Sequence, residues 1–215
     1  MEDELKVFLD ENKTDLVELE TKPFRILQFR NHLIALSGIG LINAGACASY
    51  IAAKYSPTSF FNIGLAGAPT NAKVEILQPL IISNVYHGGV DAQVFGYEYG
   101  QTPKEPVTFV SDKNLIEKLQ LQTNYELGML ASSDSFVGSL ALYETFIAPL
   151  KKEISLIDME AFGYYQIATK FNLPIISLKI VSDILNKHGD NDKQFIEILA
   201  QGSQIIAQVM VKYLK

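Results

Sequence analysis

Two acidic side chains that end apolar runs, Glu160 in ISLIDME and Asp183 in ISLKIVSD, are the groups of this sequence best placed to do chemistry. Burial at the mouth of a dry crevice favours the protonated form of a carboxyl group, which lets it act as an acid near neutral pH. Two more apolar runs, IALSGIG and FNIGLAG, end in glycines. Such turns let backbone approach a ligand closely, and the first turn of a following helix offers free N–H donors. Paired carboxylates beside glycine-rich turns point to a small-molecule enzyme working by acid–base chemistry.

For these groups to meet, the runs that carry them must be strands of one sheet. The pattern predicts a short acidic helix over 2–12, with Leu5, Phe8 and Leu9 on one face. Strands over 24–29 and 32–36 follow, joined at Arg30-Asn31 as a hairpin. A helix rich in small residues is expected over 42–55, ended by Pro57, and then a buried strand SFFNIG, stopped by a turn at Gly64-Leu65-Ala66-Gly67. Further strands are predicted over 80–85, within GMLASSDSFVGS, over 154–157 and over 174–181. Helices are predicted over 113–120 and 141–147, beyond Asp158-Met159-Glu160 as far as Lys170, and over 192–213. Near-continuous apolar strands alternating with helices describe an α/β domain whose sheet is covered on both faces. Ligands of open α/β sheets bind beyond the carboxyl ends of the strands, which is where the polar groups stand.

The composition removes several classes of function. The chain has 215 residues, 48% of them hydrophobic, enough for one domain with a substantial core. A formal net charge of −6 argues against nucleic-acid binding, which needs a basic face. A lone cysteine, Cys47, excludes a disulfide framework and fits a reducing compartment. Three histidines (His32, His87, His188) with one cysteine, and no CxxC or HExxH, leave little for a metal site. The opening MEDELK is acidic where a signal peptide is basic, and the small-apolar stretch 38–53, broken by Asn43 and Ser49, is too short to span a bilayer. A soluble, cytoplasmic, single-domain protein is expected.

Each motif also has a purely structural reading. Ser37-Gly38-Ile39-Gly40 could be a simple strand-to-helix turn. As a dinucleotide fingerprint it is weak, because the next strand carries Asn62 and Gly64 where a ribose-binding acid would stand. Asp158 and Glu160 could merely place charge in the first turn of a helix, and Asp183 could open a capped loop. His87 reads as a hydrogen-bonded turn residue without catalytic role. The aromatic run 95–99 carries glycines and reads as a loop, either a pocket wall or a subunit contact.

SGIG with its small-residue helix, GLAGAPT, FGYEYGQ, SSDSFV, DMEAFGYYQIA and VSD occur together in an order and spacing that resemble the 5′-methylthioadenosine/S-adenosylhomocysteine nucleosidases. The likeness to this family, part of the nucleoside phosphorylase superfamily, covers nearly the whole chain. It implies a three-layer α/β/α fold with a mixed central sheet, and a homodimer that cuts the bond between adenine and a 5′-thioribose without metal or cofactor, in methionine salvage. It further implies that Asp183, next to Ser182 in the binding set, protonates adenine N7, that Glu160 binds the ribose hydroxyls over Met159, and that Glu4 activates water. Phe136 would stack on the purine, the Val137 backbone would read its edge, and Gly67 would contact ligand. Ile39 would line the 5′-thio pocket, with Phe95, Tyr97 and Pro103 donated by the neighbouring subunit. The sequence departs from the family pattern at Leu65 (serine there), Lys179 (arginine) and Asp158 (glutamate), and it opens at the glutamate segment without the preceding strand.

Two other readings remain open on the sequence. A purine nucleoside phosphorylase would attack with phosphate and commonly hold it with arginine, yet the arginines here are Arg25 and Arg30, both in the N-terminal hairpin. A nucleoside-binding relative with weakened catalysis would bind methylthioadenosine without releasing adenine.

Overall fold

The computed structural model describes residues 1–185 and 191–214. Helix α1 (Glu2–Glu11) begins with three acidic residues at its positive end and buries Leu5 and Phe8. Strands β1 (Leu16–Glu20), β2 (Arg25–Phe29) and β3 (His32–Leu36) form an antiparallel meander. The β2–β3 turn falls at Arg30-Asn31 as expected, with Arg30 at φ 54°. Strand β1 was not expected: three of its five residues are exposed, so it carries no clear buried-face pattern.

A six-stranded mixed sheet follows, built from β4 (Phe60–Ala68), β5 (Pro79–His87), β6 (Phe109–Val110), β7 (Glu126–Ser132), β8 (Leu156–Asp158) and β9 (Ile175–Ile184). Its order is β6-β5-β7-β8-β4-β9, and β9 pairs again with β5, so five of the strands close on themselves. Helices α2 (Leu41–Tyr55), α3 (Lys113–Thr123), α4 (Leu140–Phe146), α5 (Ala161–Lys170) and α6 (Asn191–Tyr213) flank it. This is the mixed α/β architecture expected, and no described helix is long and apolar enough to cross a membrane.

Strand β9 shows how the core divides. Ile176, Leu178 and Ile180 pack with Phe8 and Ile206, on the side of α1 and α6. Ile175 and Val181 pack with Phe162 and Tyr165 of α5. Both faces are covered, which is why the run reads as continuously apolar. Lys179 shares the face of Ile175 and Val181 by strand alternation, so its ammonium must be neutralised inside the protein.

The expected stop at Gly64-Leu65-Ala66-Gly67 is wrong, because β4 runs straight through it to Ala68. Its glycines make room instead of a turn. A Cβ on Gly64 would stand 3.0 Å from Glu4 Oε1 and 3.3 Å from Lys179 Nζ, and one on Gly67 would stand 3.0 Å from Asp183 Oδ2. Strand β8 starts later than expected, at Leu156, and α5 begins at Ala161, directly after Asp158-Met159-Glu160. His87 is likewise the last residue of a strand, its Nδ1 buried without a hydrogen-bond partner among the described residues and its ring edge-on to Phe162.

Helix α5 lies against α2 through Gly163, where a Cβ would come within 2.7 Å of the Leu41 carbonyl oxygen. Gly→Ala inside a helix ordinarily stabilises by up to ~1 kcal/mol. At position 163 the sign reverses. Gly163→Ala is expected to destabilise by ~1–3 kcal/mol through overpacking, read as a lower denaturation midpoint in urea.

Candidate active site

The carboxyl ends of β4, β8 and β9 converge on one cavity. Strands β4 and β9 run parallel, with Gly64 opposite Lys179 and Gly67 opposite Asp183. A bulge between Ala66 and Gly67 leaves Ser182 as the extra residue of β9, so Ser182 and Asp183 both reach the cavity wall. Strand β8 meets β4 at Ile157 and Gly67, which brings Asp158, Met159 and Glu160 to the same place. The turn after β3 contributes Gly38 and Ile39, and the segment after β7 contributes Ser135, Phe136 and Val137. The space enclosed is about 210 Å³.

Asp183 is 4% exposed, and its Oδ1 accepts a hydrogen bond from Ser182 Oγ at 2.6 Å. Glu160 enters from the start of α5 and accepts from the Gly40 amide at 3.0 Å. Burial, reinforced by the Asp158 charge, raises the Glu160 pKa above that of an ordinary glutamate, although Lys179 pulls the other way. Glu4, in the first turn of α1, accepts from the Leu65 amide at 2.7 Å and pairs with the amino group of Met1. Leu65, where a serine was expected by family pattern, turns its side chain toward Gly202 of α6, so only its backbone serves Glu4.

Lys179 binds these acids together. Its Nζ lies 3.0 Å from Asp158 Oδ2, with both side chains almost wholly buried. Burial alone would lower the pKa of the ammonium, but Asp158, Glu160 and Glu4 together outweigh it and raise it. Asp158 also accepts from Ser132 Oγ at 2.6 Å and from the amides of Glu160 and Ala161. It therefore serves the first amide of α5 from the end of β8, not as a charge within the helix's first turn, and neutralises Lys179 as well.

Residues 1–215 match the sequence profile of the phosphorylase superfamily over their full length. A 5′-methylthioadenosine/S-adenosylhomocysteine nucleosidase of Staphylococcus aureus is 32% identical, the match covering all of this chain and 97% of that protein. The chain belongs to this nucleosidase family. Among solved structures, the Neisseria meningitidis nucleosidase in complex with methylthio-immucillin-A superposes with a TM-score of 0.87 at 26% identity, over 100% of this chain and 95% of that one. The Streptococcus pneumoniae MTA/SAH nucleosidase in complex with 8-aminoadenine gives 0.87 and 26%, over 100% and 96%.

Most positions that the family likeness singles out lie together. Glu4, Ile39, Gly67, Phe136, Val137, Met159, Glu160, Ser182 and Asp183 all line the cavity. Phe95, Tyr97 and Pro103 do not. Phe95 is 78% exposed just before Gly96, Tyr97 is half-buried and Pro103 is exposed. Sequence reasoning left out Asn62, Tyr164 and Phe195, which also line the cavity. Asn62 sits mid-strand and donates to Ser177 Oγ, Tyr164 shares a hydrogen bond with Ser37, and Phe195 lies on a helix whose apolar spacing reads as core. Only polar side chains inside apolar runs could have flagged Asn62, and nothing in the spacing flags Phe195. Among the described residues, no group of His, Cys, Asp and Glu is placed to hold a metal ion.

Proposed function

We propose that this protein hydrolyses the N-glycosidic bond of 5′-methylthioadenosine and S-adenosylhomocysteine, with Asp183 as acid, Glu160 as ribose anchor and Glu4 as base. The observation that carries the reading is the convergence of these carboxylates on one cavity. Adenine is a poor leaving group as an anion, so a proton passed from Asp183 to N7 lets it depart neutral as the C1′–N9 bond breaks. The sugar left behind is oxocarbenium-like. Water adds to C1′ and its proton passes to Glu4, close to Gly64 and the Leu65 amide. Phe136 stacks on the purine, the Val137 backbone reads its edge, and Met159 packs beneath the ribose. Ile39 meets the 5′-thio group.

Hydrolysis is favoured over phosphorolysis by charge. Glu4, Asp158 and Glu160 face the cavity, the Lys179 ammonium and the Met1 amino group there are already paired with Asp158 and Glu4, and no arginine lines it, so among the described residues nothing is left to hold a phosphate dianion. Both arginines are engaged elsewhere, Arg25 with Glu2 and Glu18 and Arg30 over the Phe29 ring. Free adenine is expected at the same rate with and without phosphate. A ribose-1-phosphate product would overturn hydrolysis, and ligand binding without adenine release would reduce the protein to a binder.

Ligand affinity follows from the raised Glu160 pKa. The ribose hydroxyls donate to the ionised carboxylate, and a group with a raised pKa takes up its proton earlier as pH falls. Affinity for methylthioadenosine is therefore expected to weaken on acidification at a pH above the ordinary ~4.3 of glutamate. Calorimetric titrations across pH check this, with Glu160→Gln losing that limb.

The exposed aromatic loop supports a homodimer. Val94 and Phe95 are 86% and 78% exposed and adjacent, and apolar side chains of this kind are characteristic of the buried centre of an interface. In the dimer, Phe95, Tyr97 and Pro103 complete the 5′ side of the neighbour's cavity. Sedimentation of the full chain tests this, and a monomer at micromolar concentration would contradict it.

A further inference from the structure

Asp134 has no part in the chemistry above, and its carboxylate joins two segments that line the cavity. It is exposed and directly precedes Ser135, Phe136 and Val137, which line one wall. Its Oδ1 accepts from the Leu41 amide at 2.7 Å, two residues after the Gly38–Ile39 lining. Helix α2 has no side-chain cap of its own there: its N-cap is Gly40, and the nearby Asn43 side chain donates to the Ile39 carbonyl and accepts from no amide of the first turn. The amide one residue earlier, that of Gly40, goes to Glu160 Oε1 at 3.0 Å. Two consecutive amides are thus held by two carboxylates that reach them from separate segments.

We propose that Asp134 is a positioning residue that fastens the Gly38-Ile39-Gly40 turn to the Phe136 segment, so that the walls of the nucleoside site are set before ligand arrives. The turn needs such a tie. Gly38 and Gly40 hold φ of 81° and 98°, a region glycine leaves freely, and the local side chains there, Asn43 on the Ile39 carbonyl and Ser37 on the Gly38 carbonyl, hold carbonyls and leave the amides of Gly40 and Leu41 to acceptors from elsewhere. A side chain in place of the missing cap restores the preference that Ser, Thr, Asp or Asn would supply from within the helix. The fit is close, since a Cβ on Gly40 would stand 3.1 Å from Asp134 Oδ1. Releasing Leu41 frees Ile39 and Gly40, and with Gly40 the hydrogen bond that orients Glu160. The consequence for kinetics rests on the reading of Glu160 as ribose anchor.

The test compares Asp134→Ala with Asp134→Asn, whose amide oxygen can still accept from Leu41. Loss of a cap of typical strength predicts a KM about fivefold higher for Asp134→Ala with kcat little changed, and near wild-type constants for Asp134→Asn. Equal losses in both variants, or a fall confined to kcat, would overturn the proposal. A second readout needs no substrate: amide exchange over 38–43 in the full chain should be faster in Asp134→Ala and unchanged in Asp134→Asn. Unaltered exchange in Asp134→Ala would also overturn it. If the wild-type protein releases no adenine, the Glu160 reading fails, while the exchange result still decides the tie. Should Asp134→Ala not fold, Asp134→Glu, which moves the acceptor by one methylene, is expected to raise KM in the same way, and wild-type KM there would count against the proposal.

Discussion

Asp183→Asn is expected to slow adenine release by about 10²–10⁴-fold, the range that a positioned general acid contributes, while ligand affinity stays largely intact. The replacement is isosteric. Its amide oxygen can keep the hydrogen bond from Ser182 Oγ, found at 2.6 Å in the parent, and its bulk still fits the space left by Gly67. The amide NH2 can donate a hydrogen bond to N7 but cannot give up the proton, so adenine would have to leave with its negative charge. Turnover and binding therefore separate: an adenine-release assay should collapse while calorimetry with methylthioadenosine does not. Preserved turnover would remove Asp183 from the acid's role. Parallel loss of binding would show that the side chain anchors the ligand more than it activates it.

The site was readable to the extent that chemistry coincides with local pattern. Runs such as ISLKIVSD announce a strand covered on both faces, and the polar residues at their ends fall at the cavity. The hairpin at Arg30-Asn31 was visible for a similar reason, since a polar pair between two apolar runs has few other uses. Glycine misled. In FNIGLAG the glycines read as a turn, although Gly64 and Gly67 serve to admit Glu4, Lys179 and Asp183 into contact with a continuing strand. A missing Cβ signals closeness to something, and only the fold says to what. Lys179 was noticed because it differs from an arginine in the family. Its ion pair with Asp158 depends on β8 and β9 meeting through β4, a long-range juxtaposition that no spacing encodes. Phe95 carries the opposite lesson: it is 78% exposed in the single chain, and only the homodimer proposed above gives that exposure a use.

The Lys179–Asp158 pair yields the largest expected effect on stability, and the two ends of it are not equivalent. Asp158→Ala strips Lys179 Nζ of its 3.0 Å partner in a site where the side chains are only 4% and 2% exposed. Glu4 and Glu160 remain to attract the ammonium, but no longer with a direct contact from Asp158. Removing one partner of a buried pair typically costs about 3–5 kcal/mol, and α5 also loses the acceptor for its first amides, worth about 1 kcal/mol. In Lys179→Met the stranded group is a carboxylate that keeps Ser132 Oγ and the Glu160 and Ala161 amides. Its charge stays solvated by protein donors, and the thioether chain fills the stem's place, so the loss is expected to be clearly smaller. Urea unfolding of both variants tests the order. The double variant should be less destabilised than the sum of the singles, because removing the acid leaves no buried charge once the lysine has gone. Equal costs for the two singles would mean that the hydrogen bonds to Asp158 contribute little and that the charge pair alone holds β9 to the head of α5.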